Sequence, residues 1–89
     1  MKSFSYTVTT PSGFESTHAA MLCKEAQKYK TTIMLHLGDR ARNAKSLLNT
    51  MSLGIRCGDT IKITCDGEDE AVAAFALEKE ILNRFAYGI

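Results

Sequence analysis

The sequence predicts an α+β fold in two layers, a mainly antiparallel sheet with all helices on one face, in the element order β-α-β-β-α-β-α. Three features carry this expectation. Residues 4–8, 33–37 and 61–65 alternate apolar and polar side chains with the period of a strand that buries one face. Residues 16–29 and the stretch from residue 70 onward each show an apolar stripe at helical spacing. Gly38-Asp39 is a two-residue hairpin signal.

In chain order, Phe4, Tyr6 and Val8 alternate with Ser3, Ser5, Thr7 and Thr9, and Pro11-Ser12-Gly13 breaks the strand. Over residues 16–29 the positions Ala19, Leu22, Cys23, Ala26 and Tyr29 share a face, while Lys24, Glu25, Gln27 and Lys28 take the other. Ile33, Leu35 and Leu37 then alternate with Thr32, Met34 and His36, which sets His36 on the open face of the sheet. The hairpin signal leads to a short partner strand over residues 40–43. Ser46 as N-cap, Leu47, Leu48 and Met51 as an apolar set, and Gly54 as a stop predict a helix of barely two turns. Arg56-Cys57-Gly58-Asp59 turns into a strand in which Ile61, Ile63 and Cys65 alternate with Thr60, Lys62 and Thr64, until Asp66 and Gly67 end it. Glu68, Asp69 and Glu70 open the last helix as a solvated acidic cap, which suits the helix dipole better than a metal or catalytic cluster. Its stripe reads Ala71, Ala74, Phe75, Leu77, Glu78, Ile81, Leu82 and Phe85, and Tyr87-Gly88-Ile89 reads as a frayed tail.

The chain has 89 residues, 45% of them apolar. That suffices for one small domain over residues 1–89, with a modest core that buries about 60% of the unfolded surface. No repeat, low-complexity run or linker interrupts it. With 11 basic and 10 acidic residues the formal net charge is +1, which excludes a general electrostatic footprint for direct nucleic-acid or anionic-membrane binding. Partners must be recognised by local patches. The N-terminus has no apolar run for export or membrane insertion, so the expected location is cytoplasmic. Cys23, Cys57 and Cys65 are an odd set without C-x-x-C spacing, read as reduced thiols acting as small core hydrophobes. His18 and His36 alone could join them as ligands, and no metal or cofactor is expected.

One stretch has the character of a switch, residues 43–54. A helix this short cannot bury Leu47, Leu48 and Met51 together, so part of the set should face outward as a docking surface beside Ser46. A phosphate on Ser46 would meet backbone N–H groups at the start of that helix. The plainer reading is a capped connector helix.

Asn43-Ala44-Lys45-Ser46 followed by Met51-Ser52-Leu53-Gly54 closely resembles the regulatory segment of the HPr family, the histidine-containing phosphocarriers of the bacterial sugar phosphotransferase system. Thr10-Pro11-Ser12-Gly13-Phe14, Ala19-Ala20, Lys24-Glu25-Ala26 and Gly67-Glu68-Asp69-Glu70 match that family in order and spacing, so the resemblance covers nearly the whole chain. It implies an open-faced β-sandwich of four strands and three helices. The departure falls on the carrier site. The family places a histidine after the Gly-hydrophobic pair, an arginine two residues later and then a proline; here those positions hold Glu15, Thr17 and His18. A phosphoryl carrier needs a nucleophile that is unprotonated near neutral pH and a group that stabilises the transferred charge. Glu15 can imitate the charge of a phosphohistidine but not its chemistry, and Thr17 lacks the bidentate donor of an arginine.

The resemblance is therefore to Crh-type members of the family, which lack the active histidine and work through seryl phosphorylation and a catabolite-control repressor. It implies a non-catalytic regulatory protein phosphorylated on Ser46, with Lys45, Leu47, Leu48 and Met51 as the partner-binding set. Implied partners are a seryl kinase for HPr, a transcriptional regulator and phosphotransferase-system proteins. Two alternatives stand beside it. One is a divergent phosphocarrier using His18, one turn deeper on the same helix face, and the other an interaction domain that is never phosphorylated.

Overall fold

The computed structural model describes residues 1–11 and 13–84, the last by its backbone alone. The expected stripe position at Phe85, the tail Tyr87-Gly88-Ile89 and the turn residue Ser12 lie outside the described residues. The elements follow the expected order: β1 (Lys2–Thr7), α1 (Ser16–Ala26), β2 (Thr32–Leu37), β3 (Arg40–Asn43), α2 (Leu47–Met51), β4 (Thr60–Asp66) and α3 (Glu70–Arg84). The strands form one sheet in the order β1-β4-β2-β3. Every pairing is antiparallel, with Tyr6 opposite Ile61, Leu35 opposite Ile63 and Leu37 opposite Arg40. The architecture is an α+β open-faced sandwich.

Alternation decides which residues make the core. Ile33 and Leu35 of β2 and Ile61, Ile63 and Cys65 of β4 are fully buried, and Leu22 and Ala26 of α1 close over them with Ala73, Leu77 and Ile81 of α3. Burial pushes the Cys65 thiol above its ordinary value, so it acts as a small hydrophobe. The hairpin after β2 turns through Gly38 and Asp39, where Gly38 takes φ +62.

Several expectations are corrected. The first helix stops at Ala26 and does not reach Tyr29, because Lys28 and Tyr29 donate to the carbonyls of Glu25 and Ala26 and tighten the last turn. The stripe of α3 is mixed in phase. Its core row is Ala73, Leu77 and Ile81 at fourfold spacing, with Ala74 half-buried. Phe75, two residues on from Ala73, lies roughly 200° round the helix axis and is 69% exposed, and Ala71, Glu78 and Leu82 also face outward. In α2 the outward-facing apolar set is as expected and complete, with Leu47, Leu48 and Met51 all exposed, and the buried residue is Thr50. Cys57 is exposed in the loop before β4, so only Cys23 and Cys65 belong to the interior.

Candidate functional site

The first candidate surface is the start of α1. Glu15 is the N-cap, with extended backbone (φ −81, ψ 172), and its carbonyl accepts the Ala19 N–H at 3.0 Å. Its side chain is exposed. Gly13 sets the approach, since at φ +81 an added Cβ would stand 3.1 Å from the Arg56 Cα and from the Ile55 carbonyl oxygen. Phe14 donates its N–H to that same carbonyl at 3.2 Å, which fixes the turn against the loop before β4.

His18, one turn on, is buried, only 3% exposed. Its Nδ1 accepts the Glu15 N–H at 3.1 Å, doing for the helix start what a capping-box glutamine would do. As an acceptor, Nδ1 carries no proton. The ring leans on Phe14 with centroids 6.0 Å apart. Thr17 is exposed. The start of α1 thus presents a carboxylate to solvent and keeps its imidazole inside.

The second surface is residues 43–54. The Asn43 side chain accepts the Lys45 N–H at 2.9 Å and its carbonyl accepts the Ser46 N–H at 3.1 Å, so the chain leaves β3 through a hydrogen-bonded turn. Ser46 is then extended (φ −110, ψ 118) and caps α2, its hydroxyl accepting the Asn49 N–H at 3.3 Å. Leu47, Leu48 and Met51 flank it at 40%, 82% and 47% exposure, so four of the five residues singled out here form one surface. Lys45 departs from it. Its ammonium donates to the Tyr29 carbonyl at 2.6 Å, beyond the end of α1.

The acidic run before α3 is tied to backbone. Asp69 accepts the N–H groups of Lys30 at 3.1 Å and Thr31 at 2.9 Å. The Lys30 bond foremost, with Thr31 and the Lys45 charge, holds its carboxyl below the ordinary value. Glu70 accepts the Gly67 N–H at 3.2 Å and pairs with the Met1 ammonium at 2.9 Å, the ammonium lowering its carboxyl most. On the open face the His36 Nε2 lies 3.0 Å from the Thr64 hydroxyl. Among the described residues no group of three or more His, Cys, Asp or Glu is placed to hold a metal ion, and no helix is long and apolar enough to cross a membrane.

Sequence reasoning missed the residues that hold the second surface from outside. Gln27, assigned to the solvent side of α1, donates its amide to the Lys45 carbonyl at 3.0 Å. Arg40 and Arg42 of β3 reach the Leu53 carbonyl at 3.0 Å and the Ser52 hydroxyl at 3.1 Å. No local pattern marks such reaches, since they join segments distant in the chain.

A family model for the PTS HPr component phosphorylation site matches residues 2–83. The chain belongs to the HPr family. It is 39% identical over 79 residues to the phosphocarrier protein HPr of Mycoplasma genitalium, spanning 88% of this chain and 90% of that one. Among solved structures, a mycoplasma histidine-containing phosphocarrier protein superimposes with a TM-score of 0.89 at 30% identity, over 92% of this chain and 93% of the other. The Crh protein of Bacillus subtilis superimposes at 0.72 with 27% identity, over 88% and 90% of the two chains. The HPr-family match extends across both candidate surfaces.

Proposed function

We propose that this HPr-family chain, acting in the cytoplasm as one domain, has given up phosphate carriage and serves carbon catabolite control through phosphorylation of Ser46. A partner docks on Leu47, Leu48 and Met51. The observation that carries the reading is the contrast between the two surfaces. At the start of α1, a carboxylate stands exposed at the N-cap and the imidazole is buried with Nδ1 engaged. A site built to pass phosphate between imidazoles has no accessible nucleophile of the right kind there. At the start of α2, a serine hydroxyl caps a helix beside an exposed apolar set.

The electrostatics support the same reading. A phosphoseryl group carries roughly −2 charge, which suits the N–H groups at the start of α2, including the Asn49 N–H that the hydroxyl now accepts. The new charge lies beside the apolar set, so it admits a partner with a basic residue and repels one with an acidic face. A seryl kinase for HPr and a transcriptional regulator fit those two roles. The rival carrier through His18 would require a ring that is only 3% exposed to come to the surface before any phosphoryl donor reached it.

The test is a paired incubation read by intact mass and peptide mapping. With ATP and a seryl kinase that modifies a genuine HPr, the expected result is one phosphate on Ser46, abolished in Ser46→Ala. With phosphoenolpyruvate and the general phosphotransferase enzyme, no adduct is expected. Phosphate on His18 or Glu15 would restore the carrier reading, and an unmodified Ser46 beside a modified HPr control would leave the interaction domain as the better account.

A further inference from the structure

The residue before Ser46 has all of its polar groups engaged, and none of the partners belongs to α2. The Lys45 N–H donates to the Asn43 side chain at 2.9 Å. The Lys45 carbonyl accepts the Gln27 amide at 3.0 Å and the Cys23 thiol at 3.0 Å. The Lys45 ammonium donates to the Tyr29 carbonyl at 2.6 Å. Three of these partners, Cys23, Gln27 and Tyr29, lie on α1 or just past its end, and the Gln27 amide also reaches the Cys23 sulfur at 3.2 Å. Lys45 as a whole is half-buried.

We propose that Lys45 is a positioning residue for phosphorylation of Ser46, pinned to the end of α1 through its carbonyl and ammonium, and not the counter-ion of the phosphate. The inference rests on the reading of Ser46 as the phosphoacceptor. Its physical content is a matter of entropy. A hydroxyl on a loose connector samples many orientations, whereas one that follows a residue held at three points is presented in a single pose, so a kinase meets it already aligned. α2 cannot supply that order, because five residues make too short a helix to be stable by themselves. The anchor therefore comes from α1, which is the longer element and is packed into the core through Leu22 and Ala26.

Two consequences separate this from a role through charge. Gln27 is uncharged and lies outside the Ser46 to Met51 surface, yet its removal should slow phosphorylation. The Lys45 ammonium, already occupied by the Tyr29 carbonyl, should leave the phosphate's own titration untouched.

The experiment uses the full chain, ATP and a seryl kinase that modifies a genuine HPr, with Gln27→Ala and Lys45→Met beside wild type, each checked for folding by circular dichroism. Loss of one hydrogen bond corresponds to about fivefold, and the expected result is a kcat for Ser46 lower by about that factor in each variant, with KM little changed. The 31P titration of the phosphoseryl group should give the same second pKa in wild type and Lys45→Met. An unchanged kcat in Gln27→Ala, or a pKa that rises in Lys45→Met, overturns the inference while leaving Ser46 as the acceptor. If wild type itself is not modified on Ser46, the functional reading fails first and takes this inference with it.

Discussion

Glu15 and His18 stand one helical turn apart in opposite environments, a carboxylate in water and an imidazole in the interior. Exposure at the N-cap is what a phosphate-accepting side chain needs, and the residue that has it lacks the nitrogen nucleophile. On the proposed reading a nucleophile placed at Glu15 would not be enough, because Thr17 offers no guanidinium to a transferring phosphoryl group. Glu15→His alone is expected to recover little transfer from phosphoenolpyruvate through the general phosphotransferase enzyme. Adding Thr17→Arg should raise the rate by about a hundredfold, the usual effect of one charged donor at a developing anion. Near-complete activity in the single variant would show that charge stabilisation comes from elsewhere, Arg56 being the guanidinium whose backbone abuts Gly13.

α3 shows what element-scale patterns reveal and what they conceal. Its existence was legible, because acidic residues followed by a long apolar-rich stretch suit few other elements. Its phase was not, since apolar residues sit on both sides: Ala73, Leu77 and Ile81 inside, Val72, Phe75 and Leu82 outside. A helix with two apolar rows satisfies the periodicity test in more than one register. Leu77→Ala should therefore cost about 3 kcal/mol of stability by cavity formation, and Phe75→Ala about 0.5 kcal/mol or less. Urea unfolding of the two variants decides it, and a larger loss at Phe75 would return the core to the wrong face. The strands carried less ambiguity, because a period of two gives one main buried row; β2 and β4 fall where alternation places them, though Thr64 of β4 is buried as well, and β1 ends at Thr7, with Val8 buried just past it. Ser46 and its apolar neighbours were legible for a local reason, being a cap and a helix too short to hide its leucines. The grip of Gln27 on Lys45 was not, because it spans 18 residues and depends on how α1 lies beside the turn.

At the scale of the whole molecule, Asp69 joins the start of α3 to the loop that leads from α1 into β2, across 38 residues of sequence. Its two backbone bonds, to Lys30 and Thr31, sit beside a close approach in which Gly67 passes so near Thr31 that an added Cβ would lie 2.9 Å from the Thr31 Cα. The Lys45 ammonium, which holds the next residue back at Tyr29, adds its charge to the same corner. These contacts favour the ionised carboxylate, so its folded pKa lies below the ordinary value of 3.8. A carboxyl depressed in the folded state stabilises the fold fully above its unfolded pKa and loses that contribution as pH falls through the folded one. Glu70 is lowered too, by Met1 and Gly67, and so is Glu25, where burial acts upward but is outweighed by hydrogen bonds from Lys28 and Tyr29 together with the Lys28 charge. Comparison with Asp69→Asn separates Asp69 from the other two. Wild type should unfold at a higher temperature than Asp69→Asn at neutral pH, and the gap should be steady down to about pH 4 and close below it. Thermal midpoints measured from about pH 7 to about pH 2 test this directly. A gap that persists unchanged to the acid end would mean that the protonated acid holds Lys30 and Thr31 as well as the carboxylate does and better than the amide, and that ionisation of Asp69 contributes nothing to closing this corner of the fold.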